Sequence, residues 1–297
     1  MRHNTVLQFP SMHYAEVGMK KRVYFIPNAI TAFGLACGLF VIFKINMVEP
    51  GEGSYHVLFT SLLLLLVAAV ADVLDGAVAR VIKAESEFGV IFDSLSDAVT
   101  FGVAPSVLLL KSLSLEQGTG LSFFAIFGAM TYSICGVLRL VRFSVKTTLI
   151  KGNAEEEAAQ KKNFTGLPIP AAAIAAVSTN LFFVSTFEER WLHLSNPSSA
   201  IVLTCIWIAL GLLMVSRWKF PSLKTLHFKL PSLQLMLMMV LVAIFLLYGI
   251  LNFLPVVLLG VTWGYIILGV ILSTIRLIAG KKSKTLEDFE PEDEDLD

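Results

Sequence analysis

Charge is scarce in this sequence. Asp, Glu, Lys and Arg make up only 15% of its 297 residues, where a soluble globular chain carries roughly a quarter. Hydrophobic residues reach 56% and the mean hydropathy is +0.74, which excludes a cytosolic enzyme and a disordered chain. Cysteine is scarce as well. Cys37, Cys135 and Cys205 each sit inside an apolar run, with no CxxC pair and no histidine at ligand spacing. A secreted disulfide scaffold is therefore excluded, and all three are expected to be small buried hydrophobes rather than redox or zinc groups. Acidic charge is thin along most of the chain, because eight of the 23 acidic residues fall within 287–297. The body is basic and its tail acidic, so the neutral net charge hides a polarised molecule.

What is abundant is the long apolar run. A spanning helix needs about 20 mostly apolar residues, and eight segments qualify: residues 23–43, 55–82, 88–110, 117–138, 163–187, 198–216, and two from the uncharged stretch 230–275. That stretch is too long for one crossing, and Asn252, Phe253, Leu254 and Pro255 supply a turn to divide it. The second and third spans are the only ones carrying carboxylates. The expected fold is all-α, a polytopic membrane bundle of about eight helices. Residues 1–22 form a cytoplasmic segment, either a helix on the membrane surface or a disordered tail; 23–229 form the core, 230–278 an additional helix pair, and 279–297 a disordered acidic tail. The first run is too long for a signal peptide and lacks a small-residue cleavage site, so it is expected to remain in the mature protein.

Cytoplasmic loops are enriched in Lys and Arg. With a cytoplasmic N-terminus, 20 of the 23 basic residues fall on that side, and only Lys44, Lys111 and Arg190 fall on the other. Both termini are thus expected in the cytoplasm. Lys161, Lys162 and the lysines of 219–229 are expected only to attract anionic lipid, and Glu155 to Glu157 to form a solvated loop.

The chemistry is concentrated between residues 72 and 97. Asp72 and Asp75 are three apart on one helix and Asp93 and Asp97 four apart on the next, so each pair shares a face. A linker of residues 81–88 makes the two helices antiparallel neighbours, bringing the four carboxylates together near one end. Each carboxylate at mid-membrane costs about 2.5–3.5 kcal/mol on insertion scales, and one arginine, Arg80, cannot neutralise four. Oxygen ligands without His or Cys suit Mg²⁺, Mn²⁺ or Ca²⁺. Two such ions about 4 Å apart would balance the charge and clamp a pyrophosphate. Gly76 and Ala79 clear one side of the helix, either for a polar ligand or for close helix packing, and Arg80 offers a fork to phosphate oxygens.

The string D-x2-D-G-x2-A-R-x8-G-x3-D-x3-D runs without a departure from Asp72 to Asp97, and it resembles the signature of the CDP-alcohol phosphotransferases. Outside it, residues 93–106, 135–143, 164–171 and 214–217 resemble the integral-membrane phosphatidylserine synthases of bacteria, and Pro27, Asn28 and Thr31 resemble the opening of the family's first helix. The resemblance covers roughly residues 24–224. It implies a helical bundle with a dinuclear metal site opening to the cytoplasm, in a homodimer, within a bacterial cytoplasmic membrane. Its implied partners are CDP-diacylglycerol, L-serine and membrane lipids, with no nucleic acid among them.

The implied reaction moves the phosphatidyl group of CDP-diacylglycerol to the serine hydroxyl and releases CMP. By motif position Asp72, Asp75 and Asp93 are metal ligands, and Asp97 is the general base and a further ligand. Gly76, Ala79, Arg80 and Gly89 line the cytidine and phosphate pocket. Asn28 and Thr31 either add polar contacts there or cap a helix. Arg139 and Arg142 share a face at the end of the fourth span, and one of them is expected to read the serine carboxylate unless both are positive-inside anchors. Two alternatives stand beside this reading. One is the same chemistry with glycerol phosphate, inositol phosphate or choline as acceptor. The other is a cation-coupled transporter, which predicts a repeat of the Asp-bearing hairpin that the uncharged stretch 230–275 does not contain.

Overall fold

A backbone in lipid must close its hydrogen bonds within itself, so apolar runs fold as helices. The computed structural model describes residues 11–48, 55–82, 86–113, 115–116, 118–149, 163–184, 196–221 and 232–279. Its elements are α1 (Ser11–Asn46), α2 (Tyr55–Val81), α3 (Glu87–Asp97), a π-helix (Ala98–Val103), α4 (Ala104–Ser112) and α5 (Gly120–Leu149). After these come a short strand β1 (Asn163–Thr165), α6 (Ile169–Val184), α7 (Asn196–Val215), β2 (Lys219–Pro221) and α8 (Ser232–Ala279). The chain is an integral, multi-pass membrane protein with an all-α helical bundle.

The count of about eight spans holds in part. Six helices among the described residues are long and apolar enough to cross a membrane: Phe25–Asn46, Tyr55–Val81, Glu87–Ser112, Gly120–Thr147, Pro197–Val215 and Phe253–Arg276. The expected fifth span, 163–187, is instead a strand, a turn and the shorter helix α6 of 16 residues. Pro168 disfavours helical dihedrals at the residue before it, and Gly166 takes the left-handed φ of +75° that only glycine adopts freely. The last two spans lie in α8, which is two helices broken at Phe253 (φ −139°, ψ 42°), just ahead of Pro255 and within the turn expected at residues 252–255. Of residues 232–252 the structure describes the helical backbone alone.

The sixteen-residue α6 is the axis of the bundle. Ile169, Ala172, Ala173, Ala175, Ala176, Val177, Asn180 and Leu181 are all buried, because small side chains let α2, α4, α7 and α8 approach from several sides. α1 pairs with α2, and α5 with α7, where Tyr132 and Trp207 meet at 4.9 Å between ring centroids. Phe33, Phe40, Phe43, Phe123 and Phe127 point outward, as they should where the surrounding solvent is acyl chain. Cys37 and Cys135 are buried as expected, but Cys205 is exposed on the outer face of α7. An apolar run in lipid has no preference for facing inward, so hydrophobicity alone does not bury a residue.

The acidic tail, the loop glutamates 155–157, residues 1–10, Lys161, Lys162 and the lysines at 224 and 229 lie outside the described residues. Lys219 belongs to β2, which pairs antiparallel with β1 so that Phe164 stands opposite Phe220.

Candidate metal centre

α2 carries Asp72 and Asp75 one turn apart, and α3 carries Asp93 and Asp97 in the same relation. α3 starts cleanly because the Ser86 side chain accepts a hydrogen bond from the Gly89 N–H at 3.0 Å. The four carboxylates line one small cavity, walled also by Thr31, Gly34, Ala68, Ser96, Thr100 and Phe101. Asp72, Asp75 and Asp93 each offer an oxygen, and these atoms lie within 4.8 Å of one another. That span fits a single ion, because two oxygens on opposite sides of a Ca²⁺ or Mg²⁺ stand about 4–5 Å apart. Asp97 shares the cavity but does not belong to the close group of three. Three acidic groups held this close repel one another strongly at low dielectric, and a divalent cation reverses that sign. The residues fit the group that the motif implies.

α1 supports the centre from behind. The Thr31 hydroxyl donates to Asp75 Oδ2 at 2.6 Å and shares its proton with the Pro27 carbonyl at 3.1 Å. Thr31 and Asn28 both lie inside α1, which begins at Ser11, so neither is a helix cap. A Cβ at Gly89 would stand 3.1 Å from Asn28 Oδ1, so the glycine allows α1 and α3 to close together. Gly76 has nothing within 4 Å of where its Cβ would be. Its smallness therefore opens space beside α2 instead of serving helix packing within the chain. Ala79 is half-buried, and Arg80 is exposed on the last turn of α2, outside the carboxylate cavity.

The two candidate arginines separate. α5 continues to Leu149, so Arg139 and Arg142 sit within a helix and not at its end. The Arg142 side chain donates to the carbonyl of Val215 at 3.2 Å, closing the C-terminus of α7. Arg139 instead has a charge interaction with Asp97, and its Nε is buried without a hydrogen-bond partner.

Two features of the site had no reading in the sequence. The first is the π-helix that follows Asp97 directly. Pro105 has no N–H to give the Phe101 carbonyl four residues back, and the Tyr132 hydroxyl donates to that carbonyl instead, at 3.1 Å. Ser133 donates to the neighbouring Gly102 carbonyl at 3.0 Å. A proline and a glycine inside an apolar run were the available signal. The second is Thr100, whose buried hydroxyl in the cavity wall has no hydrogen-bond partner.

Comparison with known proteins bears on the same residues. The family model for CDP-alcohol phosphatidyltransferase matches residues 24–218. A CDP-diacylglycerol–serine O-phosphatidyltransferase of Bacillus subtilis is 34% identical over 200 residues, covering 67% of this chain and 92% of the relative. One of the same description from Helicobacter pylori is 32% identical over 217 residues, 72% of this chain and 79% of the relative. Another, from Methanocaldococcus jannaschii, is 33% identical over 178 residues, 60% of this chain and 72% of the relative.

Proposed function

We propose a reaction on the premise that this chain belongs to the CDP-alcohol phosphatidyltransferase family, over residues 24–218. The reaction is transfer of the phosphatidyl group of CDP-diacylglycerol to the hydroxyl of L-serine, giving phosphatidylserine and CMP. The observation that carries it is the group of Asp72, Asp75 and Asp93 within 4.8 Å, with Asp97 on the same cavity. The relatives described as serine transferases, at 30–34% identity, favour that acceptor over glycerol phosphate, inositol phosphate or choline.

Asp72, Asp75 and Asp93 would hold one divalent ion, and Asp97 with a carboxylate of the three a second, Mg²⁺ or Mn²⁺ before Ca²⁺. When bound, these ions neutralise charge on the pyrophosphate and lower the energy of the leaving CMP. The serine oxygen forms a bond to the phosphorus bearing the diacylglycerol, and the bond from that phosphorus to the CMP oxygen breaks. Asp97 takes the hydroxyl proton as general base. Gly76 clears a path along α2 for cytidine and phosphate, with Ala79 and Gly89 beside it, Arg80 at the mouth and Asn28 on α1. Arg139 holds the serine carboxylate opposite Asp97, so that the nucleophile and base are oriented by one bound substrate. The acyl chains stay in the bilayer. The site faces the cytoplasm and the protein works as a homodimer.

The test is CMP release by purified protein in mixed micelles with CDP-diacylglycerol and Mn²⁺ or Mg²⁺, comparing L-serine, glycerol 3-phosphate, inositol phosphate and choline. Serine-dependent release that stops on chelation and returns with metal is expected. Release that survives chelation would remove the metal from the reading, and release with another acceptor alone would change the substrate.

A further inference from the structure

Three side chains lining the carboxylate cavity can donate a hydrogen bond while the aspartates are ionised: Thr31, Ser96 and Thr100. Two of them are committed. The Thr31 hydroxyl goes to Asp75 Oδ2 and the Pro27 carbonyl, and the Ser96 hydroxyl to the Thr31 carbonyl at 3.4 Å. Thr100 is 1% exposed, and its Oγ1 has no partner. The backbone explains why the helix itself does not satisfy it. Thr60, Thr131, Thr204 and Thr262 each donate to the carbonyl four residues back. Thr100 instead stands in the π-helix, where bonds run five residues back, as from the Ala104 N–H to the Val99 carbonyl. α1 makes room for this residue. A Cβ at Gly38 would stand 2.5 Å from Thr100 Oγ1 and 2.8 Å from its Cα, so the bare glycine lets the helix close against it.

Buried polar groups are nearly always paired, and an exception calls for a cause. The side chains of this cavity wall offer acceptors in excess, from four carboxylates, and one unspent donor. That combination suits an alcohol oxygen, whose proton goes to a carboxylate while a lone pair takes the Thr100 hydrogen. We propose that Thr100 is a further catalytic residue: its hydroxyl donates to the oxygen of the acceptor alcohol and orients that oxygen between Asp97 and the phosphorus. This rests on the phosphatidyl-transfer reading above and deepens it. The acceptor O–H gives its proton to Asp97, one lone pair of its oxygen holds the Thr100 hydrogen, and another forms the bond to phosphorus as the bond to the CMP oxygen breaks. With two directions about the oxygen fixed by the protein, the attacking lone pair is aimed before the reaction begins. The contact is with the hydroxyl alone, so it serves any alcohol acceptor.

The full-length protein is assayed for CMP release in mixed micelles as wild type, as Thr100→Val, which keeps the branched shape against Gly38 and removes the hydroxyl, and as Thr100→Ser, which keeps the hydroxyl. Thr100→Val is expected to lower kcat/KM for serine about three- to tenfold, the size of effect when one neutral hydrogen bond is lost. Its CDP-diacylglycerol KM and Mn²⁺ affinity should stay within about twofold of wild type. Its Tm should be no lower, since no bond within the protein is removed. Thr100→Ser should bring kcat/KM back to within about twofold of wild type. An unchanged kcat/KM in Thr100→Val would overturn the proposal, as would a lowered Tm or Mn²⁺ affinity, which marks a structural or metal-holding role. A shifted acid limb in the pH profile of kcat/KM would assign the hydroxyl to Asp97 and overturn it too. If wild-type protein uses another alcohol and not serine, the substrate reading fails, and the same loss with that alcohol upholds Thr100. Wild-type protein releasing no CMP with any acceptor would overturn the reaction, and the role of Thr100 with it.

Discussion

Asp97 lies one turn beyond Asp93 but stands apart from the three carboxylates that converge within 4.8 Å, and it is the one on which the Arg139 charge acts. This division implies different consequences for the same substitution. Asp75→Asn should abolish both metal binding and turnover, since Asp75 is buried and contributes to the close group. Asp97→Asn should lose turnover by about 100- to 10,000-fold, the usual contribution of a general base, and lose the second ion, while the group of three still binds one Mn²⁺ in a titration of the purified variant. Equal loss of Mn²⁺ affinity in both would place Asp97 among the primary ligands. Spacing in the sequence predicted that the four aspartates meet; all four line one cavity, and three of them converge. It had no means of dividing Arg139 from Arg142, which share a helical face, because what separates them is the Val215 carbonyl 73 residues away.

At the scale of the element, the segment from Glu87 to Ser112 crosses as one span but changes hydrogen-bond pattern on the way. The π-helix directs the chain away from Asp97 and leaves carbonyls for α5 to satisfy, through Tyr132 and Ser133. Tyr132→Phe would remove the hydroxyl's hydrogen bond to the buried Phe101 carbonyl, a loss of about 0.5–1.5 kcal/mol. The expected outcome is a lower Tm in detergent together with a reduced kcat and intact Mn²⁺ affinity; an unchanged Tm would show that the carbonyl finds another donor. Hydropathy marks this segment as a span and says nothing of its interior. The strand pair has a similar origin, since β1 and β2 are three residues each and meet only when α6 and α7 bring residues 163 and 221 together.

For the molecule as a whole, the number of crossings decides where the ends lie. Six long spans and the shorter α6 make seven, which would separate the termini. A crossing by residues 232–252, helical in their backbone, would make eight and return the C-terminus to the side of the N-terminus, as the distribution of 20 of the 23 basic residues predicts. Reporter fusions at each end are expected to place both in the cytoplasm. Fusions reporting opposite sides would show that 232–252 stays at one surface.

The sequence by itself determined the solvent of this protein, its helical class, the four aspartates and the chemistry they suggest, because composition and helical spacing are local quantities. Hydrophobicity, however, cannot say which face of a helix meets lipid, and so Cys205 faces outward where burial was expected. Nor can spacing say which helices touch. That Gly76 has open space beside it, that Thr31 serves Asp75, and that Ser273 on a helix beyond the family match bonds Lys219 all depend on residues distant in sequence. Only the packed bundle decides them.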